Sequence, residues 1–428
     1  MNRAFSFHFD LSCPYAYLAS HAVEALAERT GAALAVRPFL LGGVFRACGV
    51  AQNLAGTLSP AKAANNLREM QRGAEALGVP LVMPPGHPIR TVKALRVLLV
   101  HNRRTAGDAD AEAHGRAMLP LMHALYRAYW VDGVDISTDE GLTQAIEGAG
   151  LEAGPLLAGA EEAWVKDELR RRTDEAIELG VFGAPAFVVE GRGPWGEDAE
   201  DRHLFWGHDR LPFVERALGG EVPELAAVHD GPPVEVWFDY SSPFAYLGVS
   251  RARRVLGDRV RWRPMLLGAL FKAIEGPLVP LQTFSPAKQA WLAKDLNWQA
   301  REAGVPVQWP SRFPVRTVLP LRVTLLVLAD PSLADRADAL IARLFRAVWV
   351  EDLDPADPAT IAACCDDAGL PGEELVGRSR EAKAALFSAT EAAHARGAFG
   401  APSFVVDPDA ETPQLFWGND RLPAAARA

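Results

Sequence analysis

Cysteine is scarce. The 428 residues hold four, Cys13, Cys48, Cys364 and Cys365, and none stands in C-x-x-C spacing. That excludes a disulfide framework and a cysteine-rich zinc site. The ten histidines lack ligand-like spacing, so no metal is expected. There is no lysine- or arginine-rich run and the formal net charge is −10, which argues against a nucleic-acid partner. No apolar stretch approaches the roughly 18 residues of a membrane helix. The opening residues, "MNRAFSFHFDLSCPY", carry one arginine and meet Asp10 before a leader's apolar core can form, so a cytoplasmic location is expected. What is present is the composition of a soluble globular enzyme: 49% apolar, 23% charged, mean hydropathy +0.00. The length exceeds what one hydrophobic core usually serves, so two domains or more are expected.

The chain repeats itself. "FDLSCPYAYL" at 9–18 meets "FDYSSPFAYL" at 238–247, and "RPFLLGGVFRA" (37–47) meets "RPMLLGALFKA" (263–273). "SPAK" occurs at 59–62 and 285–288. "LYRAYWVDGVD" (125–135) meets "LFRAVWVEDLD" (344–354), "GVFGAPAFVV" (180–189) meets "GAFGAPSFVV" (397–406), and "LFWGHDRL" (204–211) meets "LFWGNDRL" (415–422). Order is kept throughout, at a period far too long for a solenoid. The reading is a tandem duplication of a domain of ordinary size. The copies are placed at residues 1–220 and 234–428. The stretch between them, "GGEVPELAAVHDGPP" (219–233), has a linker's glycine and proline content.

Each copy starts with a β-branched and aromatic run, "FSFHFD" or "VEVWFD", which reads as a strand. In "PYAYLASHAVEALAERTG", Leu18, Val23 and Leu26 fall at helical spacing before a glycine C-cap. "AALAVRPFLL" and "RVRWRPMLL" then read as second strands, giving a βαβ unit with parallel neighbours. A long helical stretch follows (about 60–180 and 286–397). Then comes a strand opening on proline ("APAFVVEG"), a hairpin return at "HLFW", and a last helix. The expected class is α/β: two tandem domains, each with a helical insertion between βαβ and ββα halves.

That order, with a reactive residue before proline at the first helix and proline at the third strand, resembles the thioredoxin fold. The motifs "FD-x-S-[SC]-P-[YF]-A-YL", "RAxWVxxxD", "GxFGAPxFVV" and "FWGxDRL" resemble the 2-hydroxychromene-2-carboxylate isomerases and kappa-class glutathione transferases. A more distant resemblance is to disulfide oxidoreductases of the DsbA kind. It implies glutathione as cofactor, a small aromatic carboxylate as substrate, and a pseudo-dimer within one chain.

Ser242 before Pro243 is also an ordinary helix start, serine being a favoured N-cap and proline a favoured first residue. In the resembled family that hydroxyl hydrogen-bonds the glutathione sulfur, where a helix N-terminus favours an anion. Cys13 in the first copy is not a favoured N-cap, and the helix terminus is expected to lower its pKa from about 8.5, the alternative being a half-buried inert thiol in a decayed copy. The oxidoreductases carry a second cysteine three residues on; here Ala16 stands there. The resemblance further implies cis bonds at Pro185 and Pro402, glutathione contacts from Ala184 and Ala401, and γ-glutamyl contacts from His208–Asp209 and Asn419–Asp420. For the two aspartates an ordinary helix cap is the alternative. Arg46 and Lys272 fall where the isomerases keep a lysine for the substrate carboxylate, and an exposed loop cation is the alternative. The family's Gly-Asn pair departs here to Gly49–Val50, with Asn53 nearby, and to Gly276–Pro277. Cys364 and Cys365 read as buried core.

The expected activity is a glutathione-dependent cis-trans isomerisation, with catalytic Ser242 and Cys13. The alternatives are a DsbA-like thiol-disulfide oxidoreductase or kappa-like transferase using Cys13, and a binding protein with decayed sites.

Overall fold

The computed structural model describes residues 3–53, 55–107, 114–196 and 202–428. The chain divides into two compact units, 1–57 with 66–223 and 285–291, and 58–65 with 224–284 and 292–428. Each is built mainly from one repeat and includes a short stretch of the other's sequence.

In the first copy, β1 (Ala4–Phe9), α1 (Pro14–Thr30) and β2 (Ala33–Pro38) form the βαβ unit. Helices α2 (Leu41–Ala47), α3 (Pro60–Leu77), α4 (Val92–Ala106), α5 (Leu119–Trp130), α6 (Asp139–Gly148), α7 (Ala153–Gly159) and α8 (Ala163–Glu178) follow. The sheet is completed by β3 (Ala186–Glu190) and β4 (Arg202–Trp206), and α9 (Leu211–Ala217) ends the copy. Strand order is β2-β1-β3-β4. β1 and β2 are parallel, with Phe7 opposite Val36, while β3 runs antiparallel to both β1 and β4.

Among the described residues the second copy repeats these strands and α-helices in the same order. β5 (Val234–Phe238), α10 (Pro243–Leu256) and β6 (Val260–Pro264) precede α11 (Leu267–Ala273), α12 (Pro286–Ala303), α13 (Val318–Ala329) and α14 (Ala337–Trp349). Then come α15 (Pro358–Asp367), α16 (Gly372–Arg378), α17 (Lys383–Ala395), β7 (Ser403–Val406), β8 (Gln414–Trp417) and α18 (Leu422–Arg427), with sheet order β6-β5-β7-β8.

The sequence pattern explains the packing. Leu18, Val23 and Leu26 of α1 are all buried, and Gly31 closes the helix in the left-handed region at φ 63°, a conformation that favours glycine. The central strands are covered on both faces. Phe7 stacks on Phe9 and Phe187 at 5.2 and 5.6 Å, and full burial of such a side chain contributes on the order of 1.5–3 kcal/mol. One detail differs from the sequence reading: Pro185 and Pro402 do not open the third strands but precede them, leaving Ala186 and Ser403 as the first paired residues. Cys364 and Cys365 are fully buried in the core. Among the described residues no helix is long and apolar enough to cross a membrane.

Candidate active site

The site in each copy is built on the loop from β1 to α1, or β5 to α10. A buried aspartate organises it. Asp239 accepts from Ser241 N at 2.9 Å, Leu267 N at 2.7 Å and Thr317 Oγ1 at 2.6 Å. Asp10 does the same with Ser12 N, Leu41 N and Thr91 Oγ1. Burial raises the pKa of both carboxyls, while these hydrogen bonds act in the opposite direction. The motif tryptophans hold the loop from its other side: Trp130 Nε1 donates to Leu11 O at 3.0 Å and Trp349 Nε1 to Tyr240 O at 2.8 Å. Sequence reasoning passed over this hub, although Asp10 and Asp239 stand inside the repeated "FD-x-S".

At the helix start the copies diverge. Ser242 Oγ accepts from Ala245 N at 3.1 Å, an N-cap bond, and donates to Ala401 O at 2.8 Å. Cys13 makes no cap bond, but its Sγ donates to Ala184 O at 3.1 Å. The two acceptor carbonyls belong to the Ala184–Pro185 and Ala401–Pro402 peptides, both cis. Hydroxyl and thiol thus occupy one role, joining the helix N-terminus to the residue before the cis-proline.

The expectation of an activated Cys13 is overturned. The residue is only 7% exposed, and burial pushes its thiol up to about 12 although the nearby backbone amides of Ala16 and Tyr15 act the other way. A helix terminus lowers a thiol's pKa when solvent or a cation can assist the thiolate; desolvation outweighs it here.

The cis-proline loops join the "FWG" turns. Gly207 N donates to Pro185 O and Gly418 N to Pro402 O, each at 3.0 Å. A methyl on Gly183 would stand 2.6 Å from Trp206 Nε1, so the glycine in "FGAP" is required by the close approach of the indole. Gly400 stands in the same relation to Trp417. The "SPAK" lysines lie on these same tryptophans, Lys288 Nζ 4.8 Å from the Trp206 ring centroid and Lys62 Nζ 5.7 Å from that of Trp417.

His208–Asp209 and Asn419–Asp420 lie in short 3₁₀ turns rather than at helix N-caps, and each aspartate pairs with the arginine that follows it, at 3.3 and 3.4 Å. The His208 ring stacks on Tyr15 at 5.2 Å. Asn419 is turned inward instead: its Nδ2 donates to Gln299 Oε1 at 2.9 Å and its carbonyl accepts from Arg251. The residue matching Gln299 is Gly73, where a Cβ would stand 3.4 Å from His208 Nε2. The copies have exchanged volume here, glycine with histidine against glutamine with asparagine.

Arg46 and Lys272 are exposed in the last turns of α2 and α11. The first amides of those helices, Leu41 N and Leu267 N, are bound by the two buried aspartates. Asn53 is exposed and accepts from Gly56 N at 3.2 Å, a local turn. The structure therefore brings Cys13 to Ala184–Pro185 and Ser242 to Ala401–Pro402. Arg46, Lys272 and Asn53 stay on the surface.

A sequence model described as "DSBA-like thioredoxin domain" matches residues 5–219 and again 233–428. The 2-hydroxychromene-2-carboxylate isomerase of Sphingobium xenophagum is 27% identical over 224 residues, 51% of this chain and 99% of that protein. Human glutathione S-transferase kappa 1 is 28% identical over 207 residues, 45% of this chain and 88% of that protein. A solved 2-hydroxychromene-2-carboxylate isomerase shares 23% identity, covering 50% of this chain and 94% of that one at a TM-score of 0.40.

Proposed function

This chain belongs to the DSBA-like thioredoxin domain family, and on that premise we propose that it is a glutathione-dependent cis-trans isomerase of the 2-hydroxychromene-2-carboxylate type, working at the second copy's Ser242. The observation that carries the proposal is the divergence at the helix start. One copy has a capping hydroxyl beside the residue before a cis-proline; the other has a buried thiol held at about 12. The hydroxyl suits an external thiolate, and the buried thiol, with Ala16 where a resolving cysteine would stand, suits neither dithiol nor nucleophilic chemistry.

The residues around Ser242 fit glutathione. The Ala401 peptide offers backbone pairing, the α10 N-terminus favours an anion, and half-buried Asp420 suits an ammonium. Glutathione would supply a thiolate that adds reversibly to the substrate's double bond, permits rotation, and is returned unchanged. Ser242 turns its hydroxyl from Ala401 O toward the sulfur while keeping the cap bond from Ala245 N. Asp420 takes the γ-glutamyl amine; Asn419 holds the turn through Gln299. Lys272 attracts the substrate carboxylate from the end of α11.

The test follows 2-hydroxychromene-2-carboxylate and its ring-opened product by NMR, with and without glutathione. Isomerisation that needs glutathione and returns all of it supports the reading. Consumption of glutathione would make the chain a transferase. Ser242→Ala is expected to slow turnover by about 10²-fold, the usual loss for one donor to a developing anion; equal rates would remove Ser242 from the mechanism.

A further inference from the structure

The second copy carries a cavity whose lining includes neither Ser242 nor Ala401. It lies between the loop that leads into α13 and the turn that follows α14, and its volume is about 240 Å³. Pockets for drug-sized ligands measure roughly 300–1,000 Å³, so the occupant this one admits is small. Pro310, Pro314, Val315 and Leu353 give it apolar walls, and Leu353 is 38% exposed.

Four charged side chains complete the lining: Arg312, Arg316, Asp352 and Asp354. Arg312 and Asp354 answer each other at 3.5 Å, and Asp354 also accepts from Ala356 N at 2.9 Å. Arg316 is exposed and has no hydrogen bond or ion pair among the described residues. Asp352 accepts from Ser311 N at 2.8 Å. Hydrogen bonds from the Ser311 side chain and backbone hold its carboxyl below the usual carboxylate range. A carboxylate accepts at about four sites, so Ser311 leaves it capacity for a further donor. One cation and one anion thus remain for a ligand in a single small apolar cavity.

The first copy has only half of this set. Thr91 and Thr317 hold the same place on the two buried aspartates. Counting back from them, Arg90 matches Arg316 and Gly86 matches Arg312. In "WVDGVD" (130–135) against "WVEDLD" (349–354), Asp135 matches Asp354 and Gly133 matches Asp352. Gly133 and Asp352 both have positive φ, 69° and 54°, a region that glycine enters freely and other residues at a cost. The second copy therefore keeps a strained aspartate where glycine serves the same turn, and strain of this kind clusters at functional sites.

We propose that this cavity binds a free α-amino acid with an apolar side chain, its ammonium on Asp352, its carboxylate on Arg316 and its side chain against Pro314, Val315 and Leu353. Both charges of the ligand are then paired, so neither leaves water without a partner.

The test titrates the full chain with L-leucine by calorimetry, with the thermal midpoint as a second readout. Saturable binding and a dose-dependent rise in the midpoint are expected. N-acetyl-L-leucine lacks the ammonium and L-leucinamide the carboxylate, and they stand for the two ends of a peptide; each should bind at least tenfold more weakly. Asp352→Gly installs the first copy's residue and relieves the strain, and it should lose at least tenfold in leucine affinity. Arg316→Gln changes an exposed side chain without a partner, so it should keep the fold and lose as much. Arg90→Gln, the matching change in the first copy, should lose nothing. The proposal fails if leucine does not bind saturably, or if all three compounds bind alike. It fails equally if Asp352→Gly or Arg316→Gln binds leucine as the wild type does, or if Arg90→Gln loses as much as Arg316→Gln. None of these outcomes bears on Ser242, because the glutathione reading uses none of these side chains.

Discussion

Cys13 should resist alkylation. A thiol titrating at about 12 is about 3 × 10⁻⁵ thiolate at pH 7.5, whereas an ordinary thiol near 8.5 is about 10% thiolate. Since only the thiolate reacts, Cys13 should label roughly 3,000-fold more slowly than a free thiol, before counting the steric cost of 7% exposure. The perturbation is a brief pulse of light iodoacetamide on the folded chain, followed by unfolding and heavy iodoacetamide. Mass spectrometry then gives the light fraction at each cysteine. Half-buried Cys48 should label first; Cys13 should fall with buried Cys364 and Cys365. Repeating the pulse at pH 9.5 should raise the Cys13 rate about 100-fold, one decade per pH unit, because its titration lies well above both values. A Cys13 that labels like a free thiol at pH 7.5 refutes the reasoning and reopens the oxidoreductase alternative.

Cys13→Ser should add the cap bond that Ser242 makes and Cys13 lacks, raising stability by about 1 kcal/mol in urea unfolding; a loss of stability would count against the equivalence of the two sites. Ser242→Ala removes the cap and leaves Ala401 O without its donor, which should cost about 2–3 kcal/mol in the same assay. Gly183→Ala drives a methyl against the Trp206 indole at 2.6 Å and should destabilise by about 1–3 kcal/mol, with a change in tryptophan fluorescence. The thiols of Cys13 and Cys365 are both pushed up to about 12 by burial, so above about pH 8.5 the unfolded chain releases protons that the folded chain keeps. Stability is therefore whole below that pH and falls as pH rises toward about 12, by up to about 1.4 kcal/mol per unit and thiol, while a flat profile would contradict the burial.

The local features of this protein were determined by sequence alone. The duplication, the βαβ–helices–ββα order and Gly31 at the end of α1 follow from periodicity, capping and repetition, all of which act over a few residues. Residue identity at the helix start was legible too, and with it the contrast between Ser242 and Cys13. What that contrast means was decided by tertiary structure. A helix N-terminus favours a thiolate, but whether it forms depends on water, and the loop carrying Ala184 and Pro185, 171 residues along the chain from Cys13, helps to shut water out. Asn419 looked like a ligand from its place beside Asp420; Gln299 on α12, 120 residues away, turns it inward. Asp10 and Asp239 drew no notice because a carboxylate's worth lies in its donors, and Thr91 and Thr317 reach them only in the fold. Desolvation and pairing are sums over neighbours distant in sequence, and only the folded chain chooses those neighbours.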